Sequence, residues 1–291
     1  MAYRPEPAPF EEELAGLDAL EVKTPRARSR ARRIWSSLWP KFAAVGIVLL
    51  VWQILVWAHW RPKYVFPGPG AAFRSLWDDV ANGRILRATG VTMERAAIGY
   101  GIALLIGSAI GIAVARVAVL RAAIGSLITG LQTMPSVAWF PLAIVVFRLS
   151  ETAILFVVVL GAAPAIANGL ISGIDHVPPL LLRAGRVLGA RGMKAYRHVI
   201  LPAAFPSFLG GMKQGWAFAW RSLMAGELLV VIGGRAGLGF TLDSARLSQD
   251  YPGLMATMIV ILVIGIMIDS LLFGVLERRV RRRWGLIEAT S

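Results

Sequence analysis

The sequence has no cysteine and only three histidines in 291 residues. Disulfide scaffolds, thiolate metal sites, iron–sulfur clusters and thiol catalysis are therefore excluded, and few imidazoles remain for a metal cage. Charge is also scarce, because 16% of the residues are charged, whereas a soluble domain usually has about 25%. Hydrophobic residues make up 56% of the chain. This balance predicts a protein whose surface faces lipid as well as water.

Most of the sequence after residue 41 consists of apolar runs long enough to cross a bilayer. A hydrocarbon core about 30 Å thick needs roughly 20 apolar residues in a helix. Six runs meet that need and are too long for strands. The predicted fold class is therefore an all-α, polytopic membrane protein with six transmembrane helices. The predicted segments are residues 42–60, 96–115, 122–147, 152–174, 203–232 and 254–276.

Lysine and arginine are distributed unevenly between the predicted loops. The net charge of +14 would suit a nucleic-acid partner. With the N-terminus inside, however, 20 of the 31 basic residues fall in cytoplasmic pieces and nine in outer pieces, which is the positive-inside bias of membrane proteins. We therefore expect a multi-pass protein of the cell (inner or plasma) membrane with both termini in the cytoplasm. The expected surroundings are the lipid bilayer, and no nucleic acid.

Composition divides the chain into five parts. The first apolar run is followed by His59-Trp60-Arg61-Pro62 rather than by a small-residue cleavage site, so this helix is predicted to be retained. An amphipathic pattern predicts a short helix at 72–85, lying along the membrane surface. The predicted parts are a cytoplasmic tail at 1–41 (acidic, then basic), the first transmembrane helix at 42–60, an extracytoplasmic loop at 61–89, the membrane domain at 90–277 and a basic cytoplasmic tail at 278–291.

The longest inner loop, residues 175–201, has the pattern of an ordered helix–turn–helix. Pro179 suits the first position of a helix, Gly189 suits a helix end, and Pro202 opens the next spanning segment. A loop that only fixes topology needs basic charge but neither ordered helices nor a glycine break. The pattern therefore favours a docking element that passes motion from a soluble partner to the membrane helices.

The spacing inside this loop resembles a known motif. It reads Arg183-Ala184-Gly185-x3-Gly189-x9-Val199-x-Leu201-Pro202, which is similar to the Glu-Ala-Ala-x3-Gly-x9-Ile-x-Leu-Pro loop of ABC-importer permeases, with Arg183 where the family has Glu. Residues 132–142 resemble the Pro-Ser-x-Ala-Trp-x-Pro-Leu stretch of permeases for aliphatic sulfonates, taurine, nitrate and bicarbonate. The resemblance assigns to an ATPase-coupling loop Arg183, Ala184, Gly185, Gly189, Ala190, Lys194, Arg197, Leu201 and Pro202.

The resemblance implies a type I ABC permease with the MetI-like fold. It implies a second permease copy in a homodimer, two ABC ATPase subunits at the cytoplasmic loops and an extracytoplasmic solute-binding protein. The chain would bind no cofactor and catalyse no reaction, since the partner ATPase would hold ATP and Mg²⁺. The expected solute is a small anion of the aliphatic sulfonate, taurine or nitrate class. The alternatives are an ABC permease for a neutral organic solute and a secondary transporter driven by an ion gradient.

Two prolines interrupt the third predicted segment. Pro135 and Pro141 each remove a hydrogen bond from the helix, and non-helical backbone at membrane depth needs either protein or a water-filled cavity beside it. The break is either a lipid-facing kink or part of the translocation path. The path candidates here are Met134, Pro135, Ser136 and Trp139.

The fifth predicted segment contains two cations. A charge at membrane depth is costly unless it faces a cavity or a partner. Lys213 either snorkels to the inner interface or faces the path. Arg221 either pairs with Glu227 or Asp269, or presents positive charge to an anion in transit, and Glu227 suits a structural role equally well. The path candidates here are Lys213, Trp216, Trp220, Arg221 and Glu227.

Small residues recur in the second predicted segment. Gly107 and Gly111 form a Gly-x3-Gly pair that Ala103 and Ala115 extend. Such a row allows two helices to approach closely. The row therefore predicts either packing inside one subunit or a contact between two copies.

Overall fold

The structure, a computed structural model, describes residues 30–230 and 232–283. Those residues form helices and connecting loops, without a strand. The acidic part of the N-terminal tail and residues 284–291 of the basic C-terminal tail lie outside the described residues. The helices are α1 (Arg30–Trp57), α2 (Pro69–Ala81), α3 (Arg84–Arg116), α4 (Ala118–Thr133), α5 (Phe140–Phe147), α6 (Glu151–Asp175), α7 (Pro179–Val187), α8 (Met193–Ala195), α9 (Leu201–Leu229), α10 (Leu238–Leu247), α11 (Tyr251–Met267) and α12 (Gly274–Arg283).

Four spans in the described residues are long and apolar enough to cross a membrane, which confirms the all-α polytopic class. Helix α4 and residues 136–147 meet at an angle of 105° and are together apolar enough for a fifth span, either a broken span or a re-entrant loop. Helix α9 has 29 residues, but Lys213 and Arg221 reduce its mean hydropathy. Counting α9, the helices are compatible with the predicted six. The four spans are Trp39–Trp57, Arg84–Arg116, Glu151–Asp175 and Tyr251–Arg282.

Helix α6 occupies the interior and packs against both α3 and α9. Its contacts are close because glycines lie at the crossings. An added Cβ would lie 2.6 Å from the Ala163 carbonyl oxygen if built on Gly107, and 2.5 Å from the Gly211 Cα if built on Gly169. A Cβ on Gly111 would also crowd α6. Of the two alternatives for the Gly-x3-Gly row, the structure therefore shows packing inside one subunit.

Helix α3 begins at Arg84, well before the apolar segment predicted from residue 96. The amphipathic helix α2 ends at Ala81 rather than at residue 85, because Gly83 adopts a left-handed φ of 67° and separates the two helices. The polar first turns of α3 bury Thr92 and Arg95. An apolar window locates the membrane core, but a helix continues past that core into the interface.

The inner loop has the predicted order of elements. Helix α7 begins at Pro179, and the backbone then takes positive φ values at Gly189 (81°) and Gly192 (54°), a conformation that glycine adopts without strain. Helix α8 continues through a π-helical turn, Tyr196–Ile200, directly into α9. The loop is therefore joined to α9 without a flexible connection.

Candidate translocation and coupling sites

Helix α7 meets the π-helical turn of the inner loop at Gly185. This residue is buried, and a Cβ added to it would lie 2.9 Å from Cγ2 of Val199. The Ala190 amide donates a hydrogen bond to the Gly185 carbonyl at 2.8 Å. Two positions of the motif, Gly185 and Val199, thus form the contact that holds α7 against the π-helical turn.

The tip of the loop exposes large apolar side chains, although it lies outside the spanning helices. The exposed fractions are 73% for Leu180, 87% for Val187, 85% for Leu188 and 65% for Met193. Two basic side chains of the same loop, Arg183 and Lys194, are also exposed. Several large apolar side chains exposed on one short loop, together with basic ones, are typical of a protein–protein contact.

The loop is also connected to the inner end of α3, a contact that the sequence reasoning missed. The Arg116 guanidinium lies 4.5 Å from the centre of the Tyr196 ring, within the range of a cation–π interaction. On α4, which follows α3 after Val117, Arg121 forms an ion pair with Asp175 at the end of α6 at 2.9 Å. A displacement of the loop would therefore shift α3 as well as α9.

The predicted interruption of the third segment is confirmed. Helix α4 ends at Thr133, and a short 3₁₀ turn, Ser136–Trp139, leads into α5. Met134 and Pro135 are exposed, whereas Trp139 packs against the core. Ser136 approaches Gly161 of α6. Both alternatives for the exposed break, a lipid-facing kink and a part of the translocation path, stay predictions.

Helix α9 has one face in the core and one exposed. The core face is formed by apolar and small residues that pack on α6, such as Leu209, Ala219 and Leu223. Toward the ends of α9 the exposed residues are large and apolar, namely Leu201, Phe205 and Leu229. Between residues 207 and 221 the exposed residues recur with the period of a helix and are small or polar. Those central residues are Ser207, Gly210, Gln214, Ala217 and Arg221.

The two cations of α9 have different surroundings. Lys213 forms an ion pair with Asp269, which lies between α11 and α12, at 3.3 Å. Arg221 donates from Nε to the Ala217 carbonyl at 3.1 Å and lies 4.8 Å from the centre of the Phe218 ring. Because Asp269 pairs with Lys213 and Glu227 pairs elsewhere, neither predicted carboxylate neutralises Arg221.

The two tryptophans of α9 are placed differently. Trp216 is 7% exposed and meets Tyr100 edge-on, with 5.3 Å between ring centres. Trp220 stacks on Trp216 at 6.1 Å and lines, together with Arg221, an open groove of about 760 Å³ between α9 and α11. A role for Trp216 in the path stays a prediction, and its position is interior.

A buried ion-pair network lies at the opposite end of the helices from the inner loop. Arg95 donates from Nε and Nη2 to both oxygens of Glu151 at 2.8 Å and from Nη1 to Glu227 at 2.9 Å. The Glu227 side chain is completely buried. It also accepts from the Thr92 hydroxyl at 2.8 Å and from the Gly239 amide at 2.9 Å. The network therefore ties α3, α6 and α9 together.

Glycines allow residues 237–239, the outer loop segment where α10 begins, to lie directly on Glu227. A Cβ added to Gly239 would lie 2.5 Å from the Glu227 Cβ, and one added to Gly237 would overlap the carboxylate. The Leu238 amide between them donates to the Thr92 hydroxyl at 2.8 Å. The structure thus places Glu227 where this outer segment packs on the helices. Glu227 is far in sequence from the path candidates at the break, Met134 to Trp139.

A comparison with known families decides what this arrangement is. The model of the family described as binding-protein-dependent transport system inner membrane component matches residues 103–282. This chain belongs to that family. It is the membrane-embedded permease of a type I ABC importer, and therefore a transport subunit rather than an enzyme.

Individual relatives agree with this assignment. The permease is 28% identical over 233 residues to an ABC transporter permease protein of Methanocaldococcus jannaschii, covering 79% of this chain and 86% of that protein. It is 25% identical over 235 residues to the nitrate import permease protein NrtB of Synechocystis sp., covering 78% and 83%. It is 26% identical over 237 residues to the bicarbonate transport system permease protein CmpB of Synechococcus elongatus, covering 80% and 81%.

A solved structure confirms the predicted MetI-like fold. The permease superimposes on a chain of the MetNI methionine ABC transporter in an inward-facing conformation, with a TM-score of 0.57 and 20% sequence identity. The match covers 67% of this chain and 95% of that chain. At this identity the likeness concerns the fold alone.

Proposed function

We propose that this permease imports a small anion, delivered by an extracytoplasmic solute-binding protein, and that two ABC ATPase subunits drive it through the inner loop. The exposed apolar tip of that loop is the observation that carries the proposal. Leu180, Val187 and Leu188 would be unfavourably hydrated without a partner. The connection of the loop to α9 provides a mechanical path from that partner into the membrane.

The orientation and the cofactor assignment follow from the same docking surface. A cytoplasmic ATPase requires the inner loop and both termini to lie in the cytoplasm of a cell (inner or plasma) membrane protein, as the positive-inside bias predicts. ATP and Mg²⁺ would bind to the ATPase, and this chain would hold no cofactor.

A second permease copy would face α9 across the path. The exposed face of α11 away from the groove of Arg221 has the apolar side chains that lipid requires, such as Val263 and Met267. The exposed face of α9 instead presents Gly210, Gln214 and Arg221. Polar residues at membrane depth usually face a water-filled cavity or the interior of a bundle. A homodimer with the path between the two α9 helices would provide that cavity.

The charge of this face favours an anionic solute. Among residues 30–230 and 232–283, Arg221 forms no ion pair with a carboxylate, whereas Lys213 pairs with Asp269. Relatives include nitrate and bicarbonate permeases, and aliphatic sulfonates and taurine present a similar anionic group. Glu227 and Asp269, the carboxylates that a secondary transporter would need for ion coupling, are both held in ion pairs, which disfavours that alternative.

Reconstitution tests the driving force. Proteoliposomes containing the permease are expected to accumulate nitrate, taurine or bicarbonate only when the partner ATPase, ATP and the binding protein are all present. Uptake would be measured with the labelled anions, with an ATPase that cannot hydrolyse ATP as the control. Flux without ATP that follows a proton or sodium gradient would contradict the proposal.

Arg221 is the sharpest test of the anionic solute. Arg221→Gln is expected to raise the KM for the transported anion by roughly tenfold, because a charge-assisted contact is lost. Arg221→Lys keeps the charge and should retain most of the transport. Size-exclusion chromatography of the assembled complex provides the control. Poor assembly of the Gln variant combined with normal KM in the assembled fraction would make Arg221 a structural residue.

A further inference from the structure

A groove beside the start of α9 combines apolar walls with two cations. It has a volume of about 620 Å³. Its walls include Leu201, Pro202, Phe205 and Leu276, and its charged lining comes from Arg197 and Arg279. The groove therefore lies between the π-helical turn of the inner loop and α12.

The apolar walls belong to the helices that cross the membrane. Leu201 and Phe205 lie in the first turns of α9, and each remains about one-third exposed. Leu276 lies in the last turns of the span Tyr251–Arg282. The groove is thus at the membrane end nearest the inner loop, where acyl chains give way to headgroups.

The two arginines are available for an anion. Both are exposed, and neither takes part in an ion pair within the ranges 30–230 and 232–283. Arg281 on the same helix differs, because it pairs with Glu277 at 2.8 Å. Arginine suits a phosphate oxygen because its planar guanidinium donates hydrogen bonds in a fixed fork.

Apolar surface continues from the groove along the same span. Met267, Leu271 and Leu272 precede Leu276 in the span and are all at least half exposed. A ligand with one anionic end and a long apolar body fits this combination. A soluble inorganic anion would use the arginines alone and leave the apolar surface uncovered.

We propose that this groove binds an anionic phospholipid of the leaflet nearest the inner loop. Its phosphate lies between Arg197 and Arg279, and its acyl chains cover the apolar surface of α9 and of the last span. Basic pockets between spanning helices on the cytoplasmic side are a recurring form of lipid site. The bound lipid connects α12 to the π-helical turn, and this turn is the element that transmits motion of the loop. Lipid binding is a property separate from the proposed transport function.

Native mass spectrometry of the full-length permease tests the site without ATP or an ATPase, so the result does not depend on the proposed function. Phosphatidylglycerol is expected to remain bound in preference to phosphatidylcholine. The double variant Arg197→Gln/Arg279→Gln is expected to weaken this binding by roughly 25-fold, about fivefold for each arginine.

Arg278→Gln/Arg282→Gln is the matched control, because it also removes two positive charges at this end of the helices but takes both from outside the groove, and it should leave the preference intact. An equal loss in this control would indicate diffuse attraction and overturn the proposal. Displacement of phosphatidylglycerol by inorganic phosphate would overturn it in favour of a soluble anion. A change of oligomeric state in the groove variant, with lipid retained, would assign the groove to a second copy.

Discussion

Arg95→Met is expected to destabilise the permease by about 3–5 kcal/mol, the usual cost of breaking a buried ion pair from one side. Methionine keeps most of the apolar stem of the side chain, so the lost group is the guanidinium. The buried Glu227 carboxylate would then keep only the Thr92 hydroxyl and the Gly239 amide as partners. The measurement is the free energy of unfolding of the purified protein in mixed micelles.

Arg235→Met provides the matched control for this variant. Arg235 pairs with Glu94 and Glu151 at the same end of the helices, but its side chain is 44% exposed, and exposed pairs contribute about 0–1 kcal/mol. Adding Glu227→Gln to Arg95→Met removes the stranded charge and should recover part of the lost stability. Equal losses of unfolding free energy in the Arg95 and Arg235 variants would show that the buried network does not hold residues 237–239 of the outer loop on the helices.

Most of this network could not be predicted from the sequence. The sequence indicates Glu227 as a candidate, but the second predicted segment begins only at residue 96 and leaves Arg95 outside it. Arg95 and Glu227 are 132 positions apart, and no local period connects them. Their pairing depends on how α3, α6 and α9 pack, which is decided by the glycine crossings.

Local patterns were sufficient for the inner loop. Pro179 and Gly189 mark where α7 begins and where the chain turns after it, because each residue has a strong backbone preference. The same reasoning located the break at Pro135. It leaves open whether Arg221 pairs with Glu227 or Asp269 or presents its charge to an anion. The rotation of α9 about its axis, which directs Lys213 to Asp269, is set by tertiary packing.

Gly185→Leu is expected to uncouple ATP hydrolysis from transport. Even a Cβ at this position would lie 2.9 Å from Val199, so the larger side chain must push α7 away from the π-helical turn. Overpacking of this kind costs about 1–3 kcal/mol, and loss of the contact on that scale should reduce transport per ATP hydrolysed by roughly tenfold or more. Both rates would be measured in proteoliposomes containing the assembled importer.

A size-compensated pair separates this contact from a general effect on folding. Gly185→Ala should reduce coupling less than Gly185→Leu, and adding Val199→Ala should restore it, because removing the Val199 methyl groups makes room for the new one. Gly125→Leu on α4 is the control, since nothing lies within 4 Å of a Cβ built there. If Gly185→Leu hydrolysed ATP and transported solute in the wild-type ratio, force would have to reach α9 by a route other than the contact between α7 and the turn.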